Sequence, residues 1–401
     1  MRMRFLIVLI VISSLCPLNV FGGDVTYTGT HITGLHKWMY IQPLTGPRSY
    51  KAYVVNGLSF DPTQKSVDGN YNKIYWVSQV DFNDVLEGEL TTEGLYLTDI
   101  YSGITSYKLA LAGYDMPQDT AVDANGVVYA MSGDDVEFIY KITNASSGDG
   151  TIVQMLANNY SGISDDDPIG IGMVPENFGG GYEAGKDIVL FDTGFTNNNY
   201  TAIHIVDKTS LAATPTYTTL WQYGGNSGSY IRGAVNYFDG FAYFARRTIP
   251  TADSGSGTKK YINRIKGDGV LQRIFLDVNG GTLLSTALDD SITVNPVDGS
   301  VWFVVADEST NRYIYRIDIA NASLLSSNNY LATTTLEITF TADENMNVGI
   351  NDMAISPDGK FLAVANPSGT DKLWVFNIVP EPTTLAIFTV AGLFASFRRR
   401  K

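Results

Sequence analysis

The chain has 401 residues, 27 basic and 41 acidic, and a net charge of −14. A surface of that sign repels nucleic-acid phosphates and anionic lipid head groups, which argues against nucleic-acid binding and favours divalent cations or basic partners. The single cysteine forms no internal disulfide, so stability must come from a large core.

At the N-terminus, Arg2 and Arg4 precede the apolar run from Phe5 to Ile12, and the small residues Gly22 and Gly23 follow Val20. That is the layout of a secretory signal peptide over residues 1–22, cut after Gly22. Cys16 follows Leu15, where a lipoprotein signal needs a small side chain, so it leaves with the signal peptide. What remains is a body, residues 23–378, and a tail, residues 379–401.

Six glycine-rich turns, each leading into an apolar run, recur through the body: "VDGNYNKIYWVS", "DANGVVYAMS", "EAGKDIVLFD", "YFDGFAYFAR", "PVDGSVWFVV" and "SPDGKFLAVA". Their marker glycines, Gly69, Gly126, Gly185, Gly240, Gly299 and Gly359, lie 57, 59, 55, 59 and 60 residues apart. A fixed period of this size is the signature of a repeat architecture. Each unit reads as four strands. A short alternating segment ("DTAVD", "SITVN", "DMAIS") precedes the turn and the apolar run follows it. A third strand comes next ("EFIYKIT", "AIHIVDK", "KYINRIK", "YIYRIDI", "KLWVFNI"), then, in five units, a fourth ("YKLALAG", "TIVQMLA", "TYTTLWQ", "LQRIFLD", "LEITF"). Asp-Gly and Asn-Gly pairs suit tight turns between antiparallel strands. The expectation is an all-β, six-bladed β-propeller of four-stranded blades. The final unit lacks its fourth strand, and "KWMYIQ", with "DVTYTGT" as the alternative, supplies it from the N-terminus and closes the ring. A seventh blade would have to come from residues 23–55, which is short for this period.

Two units resemble known propeller repeats. "MPQDTAVDANGVVYAMSGDDVEFIYKIT" is similar to NHL and gluconolactonase-type repeats, and "VGINDMAISPDGKFLAVANPSGTDKLWVFNI" to YVTN-type surface propellers and bacterial lactonases. These likenesses imply the fold and leave function to the site. Aligning the units on their turns places Asn56, Gln118 with Asp119, Asp167, Arg232, Asp290 with Ser291, and Asn351 with Asp352 at the start of the innermost strands, around a channel mouth. Oxygen ligands converging there, Asp119, Asp167, Asp290, Asn351 and Asp352, suit Ca²⁺, which takes about 6–8 of them. Calcium-dependent six-bladed lactonases and esterases use an arrangement of this type, but their particular Glu, Asn and Asp set has no counterpart here. The other reading is that these residues hydrate the mouth.

Other chemistry is sparse. His31, His36 and His204 are scattered, and His204 alternates within a strand. No G-x-S-x-G, H-E-x-x-H or complete EF-hand loop occurs. "SDDDP" at residues 164–168 reads as a solvated loop or a divalent-ion site. Tyr and Trp in "LWQYGGNSGSY" read as loop residues able to stack on sugars.

In the tail, Thr383 to Phe397 is uncharged and mostly apolar, and Arg398, Arg399, Arg400 and Lys401 follow. As a helix it would span roughly 22 Å, short of the roughly 30 Å hydrocarbon core, and its basic end obeys the positive-inside rule. The order Val379, Pro380, Glu381, Pro382, short hydrophobic helix, basic cluster resembles the PEP-CTERM sorting signal of bacterial exported proteins. That resemblance implies a transmembrane helix serving as a transient inner-membrane anchor, cut near the Pro-Glu-Pro turn by an exosortase, with release to the cell surface or extracellular matrix of a biofilm. Two functions are expected from different classes. One is a non-catalytic binding module for polysaccharide or a surface protein. The other is a calcium-dependent lactonase- or esterase-type hydrolase acting at the channel mouth.

Overall fold

The computed structural model describes residues 25–29, 31–40, 54–79, 94–111, 117–132, 138–156, 168–192, 200–207, 217–224, 233–245, 260–278, 287–306, 311–340, 350, 352–366 and 372–378. The expected signal peptide and sorting tail lie outside them. Among the described residues no helix is long and apolar enough to cross a membrane.

Strands β1 (Val25–Tyr27) and β2 (Ile32–Tyr40) precede the repeats. β3 (Val54–Phe60), β4 (Lys73–Gln79), β5 (Gly94–Asp99) and β6 (Thr105–Ala110) form an antiparallel sheet in chain order. β7 (Pro117–Val122), β8 (Val128–Ser132), β9 (Phe138–Thr143) and β10 (Thr151–Leu156) repeat that order. So do β11 (Pro168–Met173), β12 (Asp187–Asp192), β13 (Tyr200–Asp207) and β14 (Tyr217–Gly224). Next come β15 (Gly233–Val235), β16 (Ala242–Phe244), β17 (Tyr261–Ile265) and β18 (Leu271–Asp277). They are followed by β19 (Ala287–Val294), β20 (Val301–Ala306), β21 (Arg312–Ile317), β22 (Ser323–Ser326) and β23 (Asn329–Phe340). β24 (Asp352–Ile355), β25 (Phe361–Asn366) and β26 (Lys372–Ile378) complete the chain, and β2 adds to β26 as the fourth strand of their sheet.

The strand missing from the last unit is therefore supplied by the N-terminus. Trp38 pairs with Trp374 and Tyr40 with Lys372 in the β2–β26 register. The alternative segment is used as well, elsewhere: β1 pairs with β23, Val25 opposite Phe340. A second departure from the repeat is that β15–β18 and β19–β23 merge, with β1, into one ten-stranded sheet. The first part of β23 runs parallel to β18, from Asn329 opposite Arg273 to Thr333 opposite Asp277, and its second part is antiparallel to β21.

All six marker glycines have positive φ, between 66° and 82°, as tight turns with a left-handed residue require. In four of the six turns the opening residue also caps the turn. Asp123 Oδ1 accepts from the Asn125 and Val127 amides, Asn236 Oδ1 from Phe238, Asn295 Oδ1 from Val297, and Ser356 Oγ from Lys360 and Phe361.

The core lies between sheets. In β4, Ile74 and Trp76 enter a cluster shared with β24–β26, while Tyr75 and Val77 enter one shared with β8 and β9. A second strand buried on both faces has to be apolar throughout, which explains the uninterrupted runs after each turn. Further clusters join β7–β9 to β11–β13, β12 and β13 to β16 and β17, β16–β18 to β19–β21, and β20, β21 and β23 to β24–β26. The first strands touch in a closed cycle, β3 to β7 to β11 to β15 to β19 to β24 and back to β3. Sheets stacked radially in a cycle make a β-propeller-like body.

Candidate functional site: the central channel

Inside the cycle of first strands lies a cavity of about 530 Å³. Three or four consecutive residues from each first strand line it, with Ser59 in β3, Ala121 in β7 and Gly172 in β11 next to last. At that same position the remaining strands carry Ala234, Thr293 and Ala354. All six side chains are small, which lets the backbones converge. The next residue along is larger in every strand: Phe60, Val122, Met173, Val235, Val294 and Ile355. The wall is mainly apolar.

Asp119 and Asp352 border the cavity, and each ties its own sheet to the next. Asp352 Oδ1 accepts from its neighbour Met353 N at 2.8 Å, and Oδ2 accepts from Leu58 N at 2.5 Å in β3. Asp119 repeats the arrangement, with Thr120 N at 2.7 Å and Ile171 N at 2.9 Å in β11. Both residues are buried, 8% exposed, and charge-assisted bonds to backbone amides offset much of the cost of placing a carboxylate there. Between these two seams, Ser59 Oγ donates to Thr120 O at 2.6 Å and Thr120 Oγ1 donates to Gly57 O at 2.7 Å. Gly57 is required by this approach: its φ is 59°, and a Cβ would lie 2.3 Å from Asp119 Cα. Ser291, at the corresponding place in β19, is fully buried and its hydroxyl has no hydrogen-bond partner among the described residues.

Of the other expected calcium ligands, Asp290 lies in β19 with its side chain outside the description, and Asp167 and Asn351 lie outside the described residues. Among the described residues no three His, Cys, Asp or Glu side chains converge as a metal site does. At the turn end of the cavity, half of Tyr237 is open. Burial of its hydroxyl, aided by the Asp123 carboxylate and opposed by a hydrogen bond with the Met173 backbone, pushes its pKa up to about 12.

The histidines divide by environment. His204 is buried in β13, with Nδ1 3.1 Å from Thr219 Oγ1 and its ring edge-on to Tyr217. His31 Nδ1 lies 2.5 Å from Oε1 of Glu337, a residue with no exposed surface. Trp221, which falls both in the expected strand "TYTTLWQ" and in the stretch read as a sugar-stacking loop, sits in the strand, β14, and packs on Phe244 at 5.3 Å. Residues 225–230 of that stretch lie outside the described residues.

Residues 379–401 match the family described as the PEP-CTERM protein-sorting motif. The tail is a PEP-CTERM sorting signal. Such a signal is recognised by exosortase and marks an exported protein that is processed at the membrane. No curated protein matches the chain. A Bacteroides thetaiotaomicron protein of unknown function superposes with a TM-score of 0.51 at 12% identity, over 89% of this chain and 76% of its own. This shows a common fold. An auxiliary nutrient binding protein from the same organism is more remote, at a TM-score of 0.46 and 12% identity over 81% and 69% of the two chains. So is the Dos1 propeller, at 0.44 and 11% over 80% and 78%.

Proposed function

We propose that the chain is an exported six-bladed β-propeller, closed by its N-terminal strand, that serves as a non-catalytic binding module for polysaccharide or protein at the cell surface or in the extracellular matrix. A signal peptide over residues 1–22 starts export. The hydrophobic stretch of the tail holds the protein transiently in the inner membrane until an exosortase-type enzyme cuts near Pro380 to Pro382. The hydrogen bonds of Asp119 and Asp352 carry the binding reading: carboxylates at the channel are engaged by backbone amides across sheet seams, a scaffolding use. A calcium-dependent lactonase or esterase is the second reading, favoured by the fact that Asp119 and Asp352 border one cavity. In it Ca²⁺ would draw also on Asp167, Asp290 and Asn351.

Protein recovered from its native cells tests the proposal. Mass spectrometry should find the C-terminus near the Pro-Glu-Pro turn. The protein should co-sediment with the cells' extracellular polysaccharide or retain a surface protein, and should turn over neither lactones nor aryl esters with calcium present. Hydrolysis abolished by a chelator would establish the second reading instead. Extracellular protein still ending in Lys401 would remove the sorting step.

A further inference from the structure

Where the ring closes, three turns and the N-terminal strand bring Tyr101 to the surface, backed by the partly buried His36 and the buried Phe361. Tyr101, on the β5–β6 turn, is 36% exposed. Its ring lies 5.0 Å from His36 of β2, near perpendicular, and 6.1 Å from Phe361 of β25 at 88°. The turn beneath it is braced, since Asp99 Oδ1 accepts from both the Tyr101 and Ser102 amides, at 2.9 and 3.0 Å. Polar groups gather at the rim of the ring. The Tyr101 hydroxyl donates to Asp68 Oδ2 at 2.9 Å and accepts from Asn70 Nδ2 at 3.1 Å, and Lys360 Nζ donates to Asn70 Oδ1. Val67 and Ile104 add exposed apolar surface on the same turns.

We propose that this patch binds a neutral hexopyranose unit of a polysaccharide, the C–H face of the sugar stacking on Tyr101 and its hydroxyls bonding to Asp68, Asn70 and Lys360. The inference rests on the binding-module reading and names its ligand. A pyranose has one apolar face and a rim of hydroxyls that both donate and accept. A braced aromatic beside a carboxylate, an amide and an ammonium presents the complement. A sugar carboxylate is disfavoured by Asp68 and by the net charge of −14. Asp68 remains an ionised acceptor throughout the working range, because hydrogen bonds from the Ser66 hydroxyl and the Asn70 amide lower its pKa to about 2. Residues far apart in the chain, Asn70 and Lys360 among them, meet only across the closed seam, so the patch exists only in the closed ring.

Binding of the full secreted protein to immobilised dextran, galactan and alginate, and to the polysaccharide of its native cells, tests this. The wild type should bind at least one neutral polymer in preference to alginate. Tyr101→Ala and Asn70→Ala should weaken that binding about tenfold, or roughly 1.4 kcal/mol, with unchanged melting curves, and Tyr101→Phe should retain most of it. Equal binding by wild type and Tyr101→Ala would overturn the platform and leave the binding-module reading standing, as would a preference for alginate. Failure of the wild type to bind the native polysaccharide or any of the three polymers would overturn the platform and count against the polysaccharide half of that reading.

Discussion

The seams around the first two sheets and the seams around β23 are closed by different means. Single side chains close the former: Asp352 reaches Leu58, Thr120 and Ser59 interlock, and Asp119 reaches Ile171. Shared backbone closes the latter, with β23 pairing at once with β18, β21 and β1, and β2 pairing with β26. A side-chain clamp depends on one residue's identity and fails locally. A shared strand tolerates substitution, because its bonds are main-chain, but its removal uncovers whole edges. The first kind of seam should be broken by point mutation and the second by deletion.

The largest effect is therefore expected from deleting residues 25–40, which removes β1 and β2 together. The edges of β26 and β23 would both be unpaired, and open edges template intermolecular pairing. Size-exclusion chromatography should show aggregation in place of monomer. A monomer with an unchanged melting temperature would mean that closure by the N-terminus contributes nothing. Next in size is Asp352→Ala, which leaves the buried Leu58 and Met353 amides without acceptors and should cost about 3 kcal/mol in chemical denaturation. Ser291→Ala sharpens the contrast. It alters the equivalent position in β19, where the hydroxyl has no hydrogen-bond partner among the described residues, and should leave stability unchanged or raise it by up to about 1 kcal/mol, since an unpaired buried hydroxyl is removed. Equal losses at the two positions would show that burial rather than the clamp matters.

Between these lies Glu337→Gln. Glu337 is the extra residue of a bulge in β23, since Ile314 pairs with Ile338 and Tyr315 with Leu336. Its carbonyl accepts from the Thr28 and Gly29 amides, and its carboxylate meets His31. The substitution keeps the shape and the main-chain stitch but removes the charge facing His31. A loss of about 1–2 kcal/mol is expected, well short of the deletion. A loss as large as the deletion's would make the side chain, and not the strand, the fastener of this seam.

The unequal legibility of the two kinds of seam has a physical cause. The turns were readable because a positive φ selects glycine locally, and Asp or Asn beside it caps the turn within a few residues. Closure by β2 was readable because the last unit was one strand short. The parallel pairing of β23 with β18 left no mark, since main-chain bonds ask little of sequence and "NYLATTTLEITF" reads as strand whichever neighbour it has. Asp119 and Asp352 lie in first strands, β7 and β24, but their bonds run to Ile171 and Leu58 in other units. A carboxylate that ties two sheets and one that holds calcium have the same local sequence. Trp221 reads both as part of the strand "TYTTLWQ" and as a loop residue, and local sequence does not choose between them, because its partner Phe244 belongs to a different sheet.

A small expected effect lies within a sheet and sets the baseline for both kinds of seam. Asp99 faces Lys73 of the neighbouring strand at 2.7 Å. Burial pulls its pKa upward, but hydrogen bonds from Lys73 and from the Ser102 and Tyr101 amides outweigh that and hold the carboxyl below its usual range. A depressed carboxylate pKa contributes stability that is complete above the unfolded value of about 4 and is lost as pH falls through the folded one. Both partners keep some exposure, so Asp99→Asn should cost less than about 1 kcal/mol near neutrality. The gap between wild type and variant should close as the pH is lowered from about 4 toward 2, measured by denaturant midpoints at each pH. A gap that persists at pH 2 would place the effect in the geometry of the turn that carries Tyr101 and not in the ion pair. Sugar binding by Asp99→Asn would then fall together with its stability.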